Sequence, residues 1–410
     1  MDLHLTEKEA GQVLAIKRDL HMHPELSHEE FRTTEKIREV LSGLPGIEIL
    51  DLPDTSVVKT GVVARLQGGK SGGETGLRAD IDALPQTEQV DSPYKSRCEG
   101  KMHACGHDFH TAALLGAAMI LSRNREEVPG TVDFLFQEAE ETTNGCQEMI
   151  DAGLFSIISP KYFFGMHNRP EVPAGQVVIQ SGGLMSAKSN FVITVHGKGG
   201  HGAMPHLCID PIVCAAAIIQ SLQTIVSRNV DPMENAILTI GSIHGGSVEN
   251  LIVEDVRMTG CVRALSQETK EMQIRRLEEI VTNTAKAYQC TADIEYKEVL
   301  PVAYNTPEMT KIAHKAAAAV VGEENCVTAV PTLASEDFAI IMDKIPSYLY
   351  WVGSGTAGEP LHAWHNPKFH ANDTALPAAA AVYASSAVTA NQLRRENSCD
   401  GKTAVMTKQL

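Results

Sequence analysis

Basic side chains are the scarce class: 35 Lys and Arg stand against 51 Asp and Glu, a formal net charge of −16. Such an acidic chain repels nucleic acid and anionic membrane surfaces, so neither is an expected partner. Long apolar runs are missing as well. The best stretches, Pro211–Ile219 and Ala378–Ala390, are short or interrupted by Ser, Thr and Tyr, below the roughly 18–20 continuous residues of a membrane span. The first residues, Met1-Asp-Leu-His-Leu-Thr-Glu-Lys-Glu, have neither a basic region nor an apolar one, so no secretory signal is expected. The 9 cysteines are scattered and odd in number, which does not make a disulfide framework, and a cytoplasmic location is the expectation. Internal repeats and low-complexity segments are absent. What is present reads as globular: 43% hydrophobic and 21% charged residues. A chain of 410 residues exceeds the roughly 250–300 that one core supports, so at least two domains are expected. The 16 histidines hint at metal chemistry, because neutral imidazole is the commonest metal ligand.

The chain opens with a helix signal: Thr6 and Glu9 form a capping box, Leu14, Ile16 and Leu20 follow, and His23-Pro24 ends the pattern. Strands are expected at Val62–Leu66, Gly76–Asp80, Thr131–Gln137 and Tyr162–His167, with helices at Phe109–Ser122 and Cys146–Ala152. That alternation predicts an α/β domain with a largely parallel sheet. Between Ser186 and Leu300 the rhythm changes. It reads strand (Asn190–His196), helix (Pro211–Ser227), strand (Ala236–Ile243), strand (Val256–Leu265), helix (Thr269–Tyr288), strand (Thr291–Val299). This β-α-β-β-α-β order is ferredoxin-like. Helices at Pro307–Val321 and Ser335–Lys344, a strand at Ser347–Gly353 and a helix from about Asp373 then resume the first rhythm. The expected organisation is an α/β domain from residues 1–184 and 301–394, an inserted α+β domain at 185–300, and a frayed tail at 395–410.

Chemistry concentrates in Met102-His103-Ala104-Cys105-Gly106-His107-Asp108-Phe109-His110, directly before an Ala/Leu-rich helix. Cys105 and His107, two apart, can reach one point from a turn, as a transition-metal site requires. Taken singly, each of these residues reads equally as a turn residue, a helix cap or a small buried hydrophobe. A second cluster, Gln137-Glu138-Ala139-Glu140-Glu141-Thr142, follows an apolar strand, where open α/β sheets place ligand sites. Adjacent side chains diverge, so one of Glu140 and Glu141 could bind a cation while the other takes a proton from water. A solvated acidic loop is the plainer alternative. His167 and His365 follow strand-like runs. Together with Cys105, His107 and Glu141 they supply enough N, O and S donors for two divalent ions. Gly-rich His196–His206 lacks a phosphate-loop signature. Arg263 could grip a carboxylate bidentately or form a structural ion pair.

These residues resemble a known family. Arg78-Ala-Asp80-Ile-Asp82-Ala-Leu-Pro85, His103-Ala-Cys-Gly-His-Asp-Phe-His110, Phe136-Gln-x-Ala-Glu-Glu141, Gly165-Met-His167, Gly199-Gly-His-Gly-x-x-Pro-His206, Ser335-Glu-Asp-Phe338 and His365-Asn-Pro resemble the dinuclear metallo-aminoacylases. The nearest branch is that of N-acyl-amino-acid amidohydrolases, hippurate hydrolases and auxin-conjugate hydrolases. The resemblance implies a metallopeptidase-like α/β catalytic domain with a ferredoxin-like lid that mediates a homodimer or homotetramer. It implies two divalent ions, Zn or Mn before Co or Ni, on Cys105, His107, Glu141, His167 and His365. It makes Glu140 the general base and proton donor, and His201 the oxyanion donor, from its own or a partner subunit. Asn250 and Arg263 would hold the substrate, and Asp80 or Asp82 would orient ligands.

The implied reaction is hydrolysis of an N-acyl-amino acid. A dipeptidase or carboxypeptidase of the same family, a hydrolase of an unusual C–N bond, a cysteine hydrolase using Cys105 and a non-catalytic binder are the alternatives. Three departures from the branch stand out: Glu138 where Pro is common, Asn250-Leu-Ile-Val253 where Asn-x-Ile-Pro is usual, and His370-Ala-Asn372-Asp373 where acidic residues are usual.

Overall fold

The computed structural model describes residues 1–400. They form two compact units. The first comprises Met1–Gly182, Tyr304–Val330 and the chain from Ile340 onward, and the second Gly183–Ala303 with Pro331–Ala339.

In the first unit, helix Glu7–Met22 starts where the Thr6 side chain accepts the Glu9 N–H and the Glu9 carboxylate accepts the Thr6 N–H, closing the expected capping box. It ends at His23, before Pro24. The sheet has 8 strands in the order Ile47–Leu50, Val62–Gln67, Pro129–Gln137, Lys70–Asp80, Tyr162–Pro173, Ser347–Gly355, Val177–Val178, Cys326–Val327. Its centre is parallel: Lys70–Asp80 runs parallel to both neighbours, and Ser347–Gly355 parallel to Tyr162–Pro173. Val62–Gln67 pairs antiparallel with Pro129–Gln137 and with Ile47–Leu50, and Val177–Val178 antiparallel with Ser347–Gly355. The edge strand Cys326–Val327 runs parallel to Val177–Val178, so the sheet is mixed, with a parallel centre and antiparallel pairings on either side of it.

Helix His107–Arg123 is buried on every side through Ser122, as an Ala/Leu-rich helix without a polar face must be. The N-terminal helix and the long helix Leu376–Asp400 pack against it. In register, Asp80 lies opposite Gln137 and Arg78 opposite Gly165. The carboxyl ends of two central strands and the middle of the third therefore meet at one level.

The second unit has a 4-stranded antiparallel sheet in the order Ala236–His244, Asp255–Ala264, Ala187–His196, Thr291–Leu300. Its first strand lies between its third and fourth, the ferredoxin-like arrangement. Helix Pro211–Thr224 begins where Asp210 accepts the N–H groups of Ile212 and Val213, and it continues as a π turn over Ile225–Asn229. By length and composition alone this 19-residue stretch is apolar enough to cross a membrane, longer than the sequence reading allowed. Its Cys214, Ile218, Leu222 and Ile225 instead fill the core of this unit together with Leu277 and Val281 of helix Gln267–Ala287.

Two expected elements change. The helix expected over Ser335–Lys344 shrinks to Ala339–Met342, because the acidic residues before it turn inward: Glu336 and Asp337 are buried, and Glu336 accepts the Phe338 N–H at 3.0 Å. The tail expected from Arg395 is helical to Asp400. The rest of that expectation, 401–410, lies outside the described residues.

Candidate metal centre

Asp80 ends the strand Lys70–Asp80, and Asp82 lies two residues on. Gly106 then turns the chain into helix His107–Arg123 with φ 91°, and a Cβ there would stand 2.4 Å from Asn168 Nδ2. Only glycine permits both the backbone and the approach. His107 therefore opens the helix with its ring towards the strand ends. His167 and Asn168 lie on the next strand, and Glu138–Glu141 follow Gln137. His365 arrives from a loop at φ 62°, its N–H donating to the Ala104 carbonyl at 2.8 Å.

All five expected ligands meet in this unit. Donor atoms of Cys105, His107 and His167 lie within 4.8 Å of one another, as do those of Cys105, Glu141 and His365, and those of His107, Glu140 and Glu141. Cys105 Sγ is 3.4 Å from His167 Nε2, and Glu141 Oε1 is 3.4 Å from His365 Nε2 and 3.9 Å from His107 Nε2. The overlapping trios offer two adjoining donor sets of S, N and O, which suits two borderline divalent ions. Two buried atoms support that fit: His107 Nε2 and Glu141 Oε1 have no hydrogen-bond partner, a state that costs free energy unless a cation completes them. Glu138 and Glu140 are buried, so the acidic segment is not a solvated loop.

Carboxylates orient the rings. His107 Nδ1 is 3.0 Å from Asp82 Oδ1, and Asp82 Oδ2 accepts the Glu141 N–H at 3.0 Å and the Ser27 hydroxyl at 2.7 Å. His110 Nε2 accepts the Asn168 N–H at 2.8 Å, so its Nδ1 carries the proton donated to Asp80 Oδ1 at 2.6 Å. Burial works against a charged His107, yet Asp80, Asp82 and Glu141 outweigh it and lift its pKa to about 10. The site thus calls for positive charge at that ring. Burial, then the neighbouring His110 and His107, hold His167 well below its ordinary value, leaving the neutral ring a metal ligand needs. The Asp80 carboxyl stays well below the usual range although burial opposes this, chiefly through His107, His110 and Arg78.

The other expected residues lie in the second unit. His201, exposed, sits in a two-residue strand paired with Leu251–Ile252, beside Asn250, whose carbonyl accepts the Gly202 N–H at 2.8 Å. Arg263 Nη1 donates to the Leu333 carbonyl at 2.7 Å and to Ser335 Oγ at 3.0 Å. These partners are a carbonyl and a hydroxyl, where the plainer reading expected a carboxylate.

Sequence reasoning gave no role to Ser27, His110, Asn168 or Trp364. Asn168 Nδ2 donates to the Cys105 carbonyl at 2.6 Å, and Trp364 Nε1 donates to the Asn168 carbonyl at 3.2 Å. His110, one turn after His107, carried a usable signal; Ser27, far away in sequence, carried none.

Comparison with known proteins agrees with this geometry. The chain is 39% identical over 377 residues to the N-acetylcysteine deacetylase of Bacillus subtilis, covering 92% of this chain and 96% of that protein. It is 34% identical over 402 residues to an IAA-amino acid hydrolase of Arabidopsis thaliana, covering 97% and 89%. A solved Bacillus subtilis structure described as a dinuclear metal-binding peptidase of the M20 family superposes with a TM-score of 0.82 at 36% identity, covering 94% of this chain and 98% of that one. Residues 76–389 match the model of peptidase family M20/M25/M40, and the chain belongs to that family.

Proposed function

We propose that this chain is a metal-dependent amidohydrolase that cleaves the amide between an acyl group and an amino acid. The observation that carries this reading is the pair Glu140 and Glu141, set among Cys105, His107, His167 and His365 with their nitrogen, sulfur and oxygen donors converging. Glu141, His107, Cys105, His167 and His365 would hold two divalent ions. When bound, these ions lower the pKa of water from 15.7 to about 7 and polarise the amide carbonyl. The thiolate and imidazole donors favour zinc, and the carboxylate admits manganese, with cobalt or nickel behind. Buried Glu140 takes the proton of the attacking water and returns it to the departing amine nitrogen. His201 donates to the oxygen that becomes negative, and Asn250 and Arg263 grip the substrate, the guanidinium matching an α-carboxylate. Asp80 and Asp82 fix the rings. The named activities of the deacetylase and amino acid hydrolase relatives support an N-acyl-amino acid as substrate.

In this reading the chain works as a homodimer or homotetramer through the second unit, where Leu207, Ile212, Val213, Val248 and Leu251 are exposed. Among the described residues the cysteines form no disulfide, in keeping with a reducing cytoplasm.

The test is amine release from N-acetyl, benzoyl and indoleacetyl amino acids and from dipeptides, on chelated protein and after return of Zn²⁺, Mn²⁺, Co²⁺ or Ni²⁺. Activity lost on chelation and restored by metal is the expected result, and the best substrate names the acyl group. Activity indifferent to chelation overturns the reading in favour of attack by the Cys105 thiol.

A further inference from the structure

A second group of possible ligands lies in the first unit. Donor atoms of His28, Glu138 and Glu148 lie within 4.8 Å of one another. Glu138 is 1% exposed. Its Oε2 accepts the Thr60 N–H at 3.1 Å and contacts the Thr60 hydroxyl, while its Oε1 is buried without a hydrogen-bond partner. Glu148 Oε1 accepts from the Asn144 side-chain amide. Its Oε2, also buried without a hydrogen-bond partner, lies 3.5 Å from His28 Nδ1. One carboxylate oxygen, Glu138 Oε1, is thus left without a partner, and a second, Glu148 Oε2, faces the imidazole only at ion-pair distance.

The Thr60 hydroxyl sharpens the charge count. It stands between Glu138 Oε2 and Glu30 Oε2, the latter at 2.8 Å, and it has one hydrogen to give. One of the two carboxyls must therefore supply the other proton. Burial and then the Asp82 charge lift Glu30 to about 7, and burial also raises Glu138, so a cation beside them would offset the cost of ionising either carboxyl. Burying such a charge without a partner is expensive. Backbone packing keeps Glu138 and Glu148 together: a Cβ on Gly145, the first residue of the short helix carrying Glu148, would meet the Glu138 carbonyl at 1.9 Å.

We propose that His28, Glu138 and Glu148 form an additional site for a divalent transition ion, which braces the segment leading to Glu140 and Glu141. Two carboxylates and one imidazole suit Mn²⁺ or Zn²⁺. The His28 ring is 42% exposed, so water can complete the coordination from that side. The brace acts through Ala139, which holds a φ of 55° between Glu138 and Glu140. Only this bracing role rests on the proposed function; the ion site itself does not.

The experiment counts Mn²⁺ per chain at equilibrium, by dialysis and elemental analysis, in the wild type and in Glu138→Gln, Glu148→Gln and Glu141→Ala. The expected result is one ion fewer per chain in each Gln variant, and retention of that same ion in Glu141→Ala. Equal counts in the wild type and both Gln variants, with unchanged circular dichroism, overturn the proposal. So does a Glu141→Ala protein in which the ion lost by Glu138→Gln is already missing. Should Glu138→Gln fail to fold, Glu148→Gln, at a more exposed position, decides alone. A wild type that binds the extra ion yet hydrolyses no N-acyl-amino acid keeps this site and overturns the proposed activity.

Discussion

Glu140 and Glu141 share a peptide bond and face different tasks. Glu141 Oε1 is oriented towards His107 and His365, whereas Glu140 is a buried carboxylate near His107 and Glu141. Glu140→Gln should keep nearly all bound metal and lower kcat by about 10²-fold or more, the scale of a lost general base. Glu141→Ala should lose metal. Elemental analysis beside amine-release rates separates the two, and full activity in Glu140→Gln would remove it from the role of base. Asp82 acts one step back, joining Ser27, the Glu141 N–H and His107 Nδ1 through its two oxygens. Asp82→Asn can present an N–H to the ring N–H, so metal affinity should fall by about 10–100-fold, read by competition with a chromophoric chelator. Unchanged affinity would mean that Asp82 does not orient the ligand.

Helix Glu7–Met22 is tied down by buried charge as well as by apolar contacts. Lys17 Nζ lies 3.1 Å from Asp373 Oδ1 and 3.6 Å from Asp108 Oδ2, and His21 Nδ1 lies 2.9 Å from Asp108 Oδ2. Lys17→Met removes a buried cation from Asp108 and Asp373, which keep His21 and Arg18 as partners, and should cost less than the ~3–5 kcal/mol of a buried charge left alone, measured by denaturant unfolding. Burial opposes charge on His21, but Asp108 outweighs it and raises its pKa; Lys17 and His21 hold Asp108 well below the carboxylate range despite burial. The raised histidine stabilises fully below its unfolded pKa of about 6.5 and loses this as pH climbs through the folded value. The depressed aspartate stabilises above its unfolded pKa of about 4 and loses this as pH falls through its folded value. The Tm difference between wild type and His21→Gln should therefore be largest between about pH 4 and 6.5 and shrink in alkali; a difference independent of pH would contradict the ion pair. At this scale the sequence was legible where neighbours in the chain decide the outcome. The capping box at Thr6, the cluster around Cys105 and the β-α-β-β-α-β order needed no distant partner. Helix Phe31–Ser42 was not read, because its buried face is Thr33, Thr34, Ile37 and Leu41, half of it polar. Strand Val177–Val178 is two residues that pair only because Ser347–Gly355 and Cys326–Val327 lie beside it. Ser335–Phe338 read as helical, but burial of Glu336 and Asp337 outweighed local propensity. Ser27 and Asn168 reach the centre through tertiary placement alone.

Among the described residues one core surrounds helix His107–Arg123 and another lies on the 4-stranded sheet. The proposed ion ligands belong to the first unit alone, so bound ions would stabilise its folded state by mass action. Calorimetry of metal-loaded protein should resolve two transitions, and a chelator should lower one while leaving the other in place. A single transition shifted as a whole would show that the units melt together. The first core is also discontinuous in the chain: the helix Leu376–Asp400 lies against His107–Arg123 and the strand Lys70–Asp80. On a ribosome the chain emerges from its beginning, so the apolar stretch Ala112–Leu121 of this helix leaves the exit tunnel long before its cover is synthesised. The inserted ferredoxin-like unit, contiguous but for Pro331–Ala339, meets most of its own partners earlier. Birth order therefore favours the insert, and the catalytic half spends most of translation as a client of whatever shields nascent apolar helices.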